Sequence, residues 1–336
     1  MRIRRFESGD LPGTVDLHNR VYPYWPIDEE CVRWKRRGQS VLDYRETFVA
    51  EVSGRLIAHL ELTSRREHFL QPGLFLLEMA IEKAHRDGVV RERLWEIVAA
   101  RLSLLRWAKL DIGCDEDDGT TFEWLENLGF RLESRDCTWR LELKGYRNPD
   151  DRDEVLARVL SAGYTLENFA VLEDPTKLRR LWALHEAVAS DYPGPNTYRR
   201  QPFDAWERKR TDSPAVRKDA ALVARRGDEF VGMTELGFRA GSAGPAYVVT
   251  TGVLREHRGR GLATALKYLS AEWARDEGVP ALLTGNHFGN EPILSINRRM
   301  GFQAQPDWLC WTLSNPEATA GGGFFQLKKP THEGRP

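Results

Sequence analysis

Apolar and polar positions along the chain alternate so as to spell out the same order of elements twice. In the first run, apolar residues at helical spacing predict a helix from about Leu11 to Arg37, interrupted at Pro23 and Pro26. Two short strands follow, Phe48 to Val52 and Leu56 to Leu62, joined by a Ser53-Gly54 turn. The apolar strand LFLLEMAI (Leu74 to Ile81) then leads through a polar turn into a helix from about Arg91 to Leu105, with Leu94, Ile97, Val98 and Leu102 along it. After residue 165 come a helix carrying Leu178, Leu181, Leu184 and Val188, the strands AALVARR and EFVGMTEL, the strand AYVVTTGV (Ala246 to Val253) and the helix LATALKYLSAEWARDEG.

The recurrence is a duplication. An ungapped shift of 172 residues brings Phe75 onto Tyr247, Ile81 onto Val253, His85-Arg86 onto His257-Arg258, Leu94 onto Leu266 and Gly129-Phe130 onto Gly301-Phe302. A shift of 174 aligns Val49-Ala50 with Val223-Ala224 and Glu61-Leu62 with Glu235-Leu236. The period is far too long for a solenoid, so each copy is a whole domain. We expect an α/β (α+β) chain with domains at 1–146 and 163–314, a linker over 147–162 that begins within the polar segment KGYRNPDDRD (Lys144 to Asp153), and a flexible tail over 315–336.

Composition narrows the function. With 336 residues, 41% hydrophobic and 29% charged, the chain can bury two cores, and 49 Lys plus Arg balance 50 Asp plus Glu. No global field recruits nucleic acid or an anionic membrane, and no apolar run reaches the roughly 18 residues that span a bilayer, so we expect a cytoplasmic protein. The four cysteines lack paired spacing and the eight histidines form no helical HxxxH pair, so no metal is expected. The acidic run CDEDD (114–118) reads as an exposed loop and the eleven tryptophans as core.

Chemistry concentrates after the second long strand, in LREHRGRGLATALK, where Arg258, Gly261 and Ala263 open a helix. Small residues let backbone approach a phosphate, consecutive amides can point inward, and the helix start adds partial positive charge. With the later segment GNHFGNEPILSINRRMGF, this resembles the Gcn5-related N-acetyltransferase (GNAT) superfamily over residues 165 to 313, most specifically 247 to 302. The layout of two such domains, the second intact, is similar to that of the mycothiol synthase family. The resemblance implies two tandem GNAT-like acyl-CoA N-acyltransferase domains, each a mixed bent sheet flanked by helices, with the second sheet splayed to admit pantetheine.

It also implies site residues. The backbone of Thr251, Gly252 and Val253 would bond the pantetheine arm of acetyl-CoA, and the loop Arg258, Gly259, Arg260, Gly261, Leu262, Ala263 and Thr264 would hold the pyrophosphate. Asn290 and Asn297 would lie beside pantetheine and thiol. In the first copy Gly259 becomes Asp87, Gly261 becomes Val89 and Ala263 becomes Arg91, so weak or no cofactor binding is expected there. Family members often use a Tyr four residues before the Gly-Phe and a Glu on the cofactor strand; here these are Asn297 and Tyr247. Asn297 can hydrogen-bond a thiolate but cannot supply a proton. Glu235 in MTELGF is the remaining strand carboxylate, and His287, Asp191, Tyr192 and Tyr198 are further polar candidates.

The implied activity is acetyl transfer from acetyl-CoA to the amine of a small molecule, with the acceptor set by loops such as Asp191 to Phe203 and the protein a monomer or homodimer. The alternative is a non-catalytic acyl-CoA sensor or scaffold, which would bind acetyl-CoA without releasing CoA.

Overall fold

The computed structural model describes residues 1–38, 44–64, 73–86, 88–194, 198–239 and 243–319. Asp87 and the tail from 320 onward lie outside the described residues.

The first copy runs β1 (Arg2–Arg5), α1 (Leu11–Val21), α2 (Glu29–Arg37), β2 (Arg45–Val52), β3 (Arg55–Thr63), β4 (Leu74–Ile81), α3 (Val89–Leu102), β5 (Lys109–Asp115), α4 (Gly119–Leu128) and β6 (Arg131–Glu142). The single helix expected over 11–37 is two, because the segment with Pro23 and Pro26 cannot continue the backbone ladder. Asp28 restarts it, its carboxylate accepting from Cys31 N at 2.7 Å. At the β2–β3 turn Ser53 and Gly54 have φ of 51° and 77°, the left-handed pair a two-residue hairpin requires.

After α5 (Arg152–Ser161) the second copy runs β7 (Thr165–Asn168), α6 (Lys177–Ser190), α7 (Phe203–Asp212), β8 (Val216–Arg226), β9 (Glu229–Phe238), β10 (Ala246–Val253), α8 (Leu262–Asp276), β11 (Ala281–His287), α9 (Glu291–Met300), β12 (Gln303–Ala304) and β13 (Trp308–Ser314). The stretch read as a linker is thus largely α5, whose Val155 and Val159 are buried against the second core. Arg152 clamps it to α8 through Glu272 at 2.8 and 2.9 Å.

All thirteen described strands join one sheet, and the two copies exchange strands where they meet. The last strand, β13, inserts between β5 and β6 of the first copy. In turn β6 pairs through Asp136–Glu142 with β11 of the second. Leu309, Trp311 and Leu313 therefore complete the first core, and Leu141 and Leu143 the second. Gly113 makes room for this, because a Cβ there would overlap the Trp308 indole. The run CDEDD is not an exposed loop: Cys114 and Asp115 end β5 and are buried, and Asp118 caps α4. The expected core role holds for Trp95, Trp107, Trp124, Trp206 and Trp311, whereas Trp25, Trp34, Trp139, Trp182, Trp273 and Trp308 are only half-buried. Among the described residues no helix is long and apolar enough to cross a membrane.

Candidate functional site

In the second copy, β10 and β11 run parallel but pair only at Ala246–Leu282 and Tyr247–Leu283. On its other edge β11 stays paired with β6 throughout Ala281–His287, and past the vertex β10 carries a bulge between Val248 and Thr250. The bulge re-aims the strand, so the two arms diverge and leave one edge of Thr250–Val253 without a neighbouring strand. The opposite edge stays paired with β9 through Thr251–Thr234, Gly252–Met233 and Val253–Gly232. Gly252 has a packing reason for lacking a side chain, since a Cβ would overlap Val188 on α6.

The loop at the end of β10 is built as its sequence suggests. Arg258 folds back, its Nε donating to Val253 O at 3.0 Å. Gly259 and Gly261 have φ of 74° and 85°, a conformation that side chains resist, and Gly261 caps α8. Among the described residues the backbone amides from Gly259 through Thr264 meet no acceptor. They stand at the positive end of a 15-residue helix. Arg255 and Arg258 add charge, shared with Asp191 at the end of α6 at 2.7 and 2.6 Å. Those two guanidinium groups hold the Asp191 carboxyl below the usual range. Buried beneath, His257 Nδ1 meets Tyr164 Oη at 2.9 Å.

Asn297 lies on the inner face of α9 with no exposed surface; its Nδ2 donates to Asn286 Oδ1 at 2.8 Å and its own Oδ1 is buried without a partner among the described residues. Asn290 is the N-cap of α9 but its side chain caps nothing. Glu235 is not a free carboxylate: it is buried and ion-paired with buried Arg210 of α7, which itself lies against Phe169 and Trp206. A carboxylate so engaged must break that pair before it can take a proton, so it does not meet the expectation of an available base. Tyr198 donates to Glu186 Oε1 at 2.7 Å, a buried carboxylate on α6 that also accepts from Gln201 N at 3.0 Å. Tyr192 reaches Gly285 O at 3.4 Å, and His287 Nδ1 accepts from Gly289 N at 3.1 Å.

The corresponding place in the first copy is filled by protein. Tyr22 donates to Met79 O at 3.1 Å, the carbonyl that the 172 shift relates to Thr251. Tyr24 bonds Asp115, Arg86 pairs with Asp118 at 3.2 Å, and Arg91 stacks over Trp124 at 5.0 Å. What remains is a cavity of about 30 Å³, enough for a water but not for a pantetheine arm. Burial raises the Tyr22 phenol and lifts the Asp115 carboxyl to about 6. Arg86 Nε nevertheless donates to Ile81 O at 2.9 Å, repeating the Arg258–Val253 contact. Sequence reasoning did not single out Tyr22, Trp25, Asp136 or Glu186, because nothing in their local pattern shows which distant strand they face.

Comparison with known proteins defines the class. Residues 181–302 match the model of the acetyltransferase (GNAT) family. A solved tandem GNAT protein from the clavulanic acid biosynthesis pathway has a TM-score of 0.68 at 18% identity, over 93% of this chain and 98% of that one. A GCN5-related N-acetyltransferase from Sphaerobacter thermophilus gives 0.67 at 16%, over 93% and 95%. The glucosamine N-acetyltransferase region of a fungal multi-domain GH3 β-N-acetylglucosaminidase gives 0.65 at 13%, over 93% of this chain and 38% of that one. No curated protein matches the sequence. The family match thus lies within the second copy, and the chain as a whole has the fold of the tandem GNAT structures.

Proposed function

We propose that this chain is an acetyl-CoA-dependent N-acetyltransferase acting on a small amine, with the cofactor held by the second copy alone. The carrying observation is the run of amides from Gly259 to Thr264, open at the start of α8 beside the splayed edge of β10. An array of unmet donors at a helix N-terminus fits a pyrophosphate. The free edge at Thr251, Gly252 and Val253 fits the amides of pantetheine, which would add as a strand does. The orphaned Oδ1 of Asn297 and its anchored Nδ2 fit a polar group buried near Asn286. Arg258, Arg260, Leu262 and Ala263 complete the cradle, with Asn290 at its far wall.

Acetyl-CoA supplies the activated acyl group; the chain binds, orients and excludes water. Asn297 is fully buried with its Nδ2 given to Asn286, so it would shape the slot wall from behind, and with Glu235 tied to Arg210 positioning would supply most of the rate. The first copy, its slot filled by Tyr22, binds no second cofactor and completes the second copy through β6. In this reading 1–146 and 163–314 remain the two units of descent and the tail follows them.

Calorimetric titration of acetyl-CoA tests the proposal. One site per chain is expected, lost in Gly261→Glu, which sets an anion on a left-handed backbone position in the loop. Two sites, or binding that survives the substitution, would refute the assignment. Release of free CoA with an amine present separates the enzyme from a non-catalytic acyl-CoA sensor.

A further inference from the structure

The strand exchange delivers groups of the first copy to the second copy's slot. Asn286 of β11 turns to α9, where it meets Asn297, so by alternation Gly285 and His287 face the other way. On that face His287 stands directly opposite Asp136 of β6. Trp25, from the α1–α2 connection, comes within 4.0 Å of where a Gly285 Cβ would be. The same indole packs edge-on against Tyr247 at the vertex, ring centroids 4.6 Å apart, and Tyr247 donates to Pro26 O. Tyr192 closes the group through Gly285 O.

Asp136 is half-buried, and among the described residues no donor or cation bonds to it. Burial raises its pKa while His287 opposes the shift and Asp307 adds to it; Tyr192, Cys137 and Cys310 are the other titrating groups that feel its charge. The Nδ1 of His287 accepts from Gly289 N, which leaves Nε2 to carry its proton. A partly desolvated carboxylate whose facing partner is the His287 imidazole, on the strand face that the edge of the Trp25 indole approaches at Gly285, is a site for a cation with an apolar body; the Arg239 guanidinium lies over the Trp25 and Tyr247 rings at 5.3 and 4.8 Å, so it is the indole edge that is offered.

We infer that the acceptor is a primary ammonium carrying an aryl or similarly apolar group, its charge on Asp136 and its body against Trp25, so that the first copy builds the acceptor side of the second copy's site. This rests on the N-acetyltransferase reading and specifies its substrate class. The ammonium gives one proton to Asp136; the neutral nitrogen bonds to the acyl carbon as the carbon–sulfur bond breaks. The second nitrogen proton goes to the departing sulfur, and Asp136 returns its own to solvent past His287. One ammonium and one thioester give one amide, one thiol and one released proton.

The test uses the full chain saturated with CoA, phenethylammonium chloride as probe, and calorimetry. Asp136→Asn should weaken the probe at least about tenfold and Trp25→Ala about fivefold, while CoA affinity in both stays within about twofold, which also reports folding. Asp136→Glu should recover most of the loss. Wild-type affinity should rise with pH as Asp136 ionises and be flat over that range in Asp136→Asn. If CoA binds but the probe does not, or binds Asp136→Asn equally well, the inference is overturned and the cofactor assignment stands. If CoA itself does not bind, both fall.

Discussion

Trp311→Ala should loosen both copies together, although Trp311 belongs by sequence to the second and packs only in the first. Its indole is 5% exposed, stacks near Phe122 at 5.6 Å and sits in a core otherwise built from residues 48 to 130 together with Leu309 and Leu313. Truncating a buried Trp or Phe to Ala costs about 3–5 kcal/mol. The lower end applies, because among the described residues Nε1 of Trp311 faces no partner better than the weak Cys114 sulfur, so little hydrogen bonding is lost with it. About 3 kcal/mol multiplies local opening by roughly a hundredfold. Since β6 is the hydrogen-bonded neighbour of β13, which carries Trp311, and also of β11, opening the first copy strips β11 of one edge. Hydrogen exchange read by mass spectrometry should show the increase in peptides over 45–63 and 109–142 and, within about tenfold, over 281–287. Faster exchange confined to residues 1–130, with 281–287 unchanged, would show that the copies unfold independently and would refute the coupling.

Two further outcomes follow from charged groups. Lys267 of α8 is 3% exposed, its Nζ has no hydrogen-bond partner among the described residues and lies 5.0 Å from the Phe302 ring centre, and burial lowers its pKa to about 7. An unfolded lysine titrates near 10.4, so the unfolded state binds the extra proton between about 7 and 10 and stability should rise with pH across that window; Lys267→Met should raise stability at pH 7 by an amount on the order of a few kcal/mol and flatten the rise, as read by urea titrations at pH 7 and 9.5. Asp191→Asn should free Arg255 and Arg258 for phosphate and tighten acetyl-CoA by roughly two- to fivefold at low ionic strength, with the gain shrinking in 1 M salt in calorimetric titrations.

Local chemistry carried much of this molecule in its sequence. The strand Leu74–Ile81 and the strand Ala246–Val253 have the predicted bounds, because long apolar runs between turn residues leave a buried strand few other places to go. The duplication survives in contacts as well as letters: Arg86 and Arg258 bond the matching carbonyls of Ile81 and Val253, and Gly129 and Gly301 end α4 and α9 with φ of 92° and 83°. The turn from Arg258 to Thr264 was legible because its left-handed backbone at Gly259 and Gly261 needs glycines just before the helix, a requirement a single segment meets alone. The helix over 11–37 was misjudged because apolar spacing continues across residues whose rings break the backbone.

Tertiary structure decided the rest. Nothing in the run WLCWTLS says that it leaves its own copy, since a strand's alternation fixes which face is buried but not which neighbour supplies the hydrogen bonds. Glu235 reads as an available strand carboxylate until α7, 25 residues earlier, lays Arg210 against it. Tyr22 and Trp25 stand three residues apart on one connection, yet one plugs the first copy's slot and the other walls the second's. Sequence thus determined the elements, the repeat and the glycine turn that opens α8, each set by forces within a few residues. Pairing partners, ion-pair choice and the filling of one slot came only from the fold, because they depend on contacts between segments that no local pattern couples.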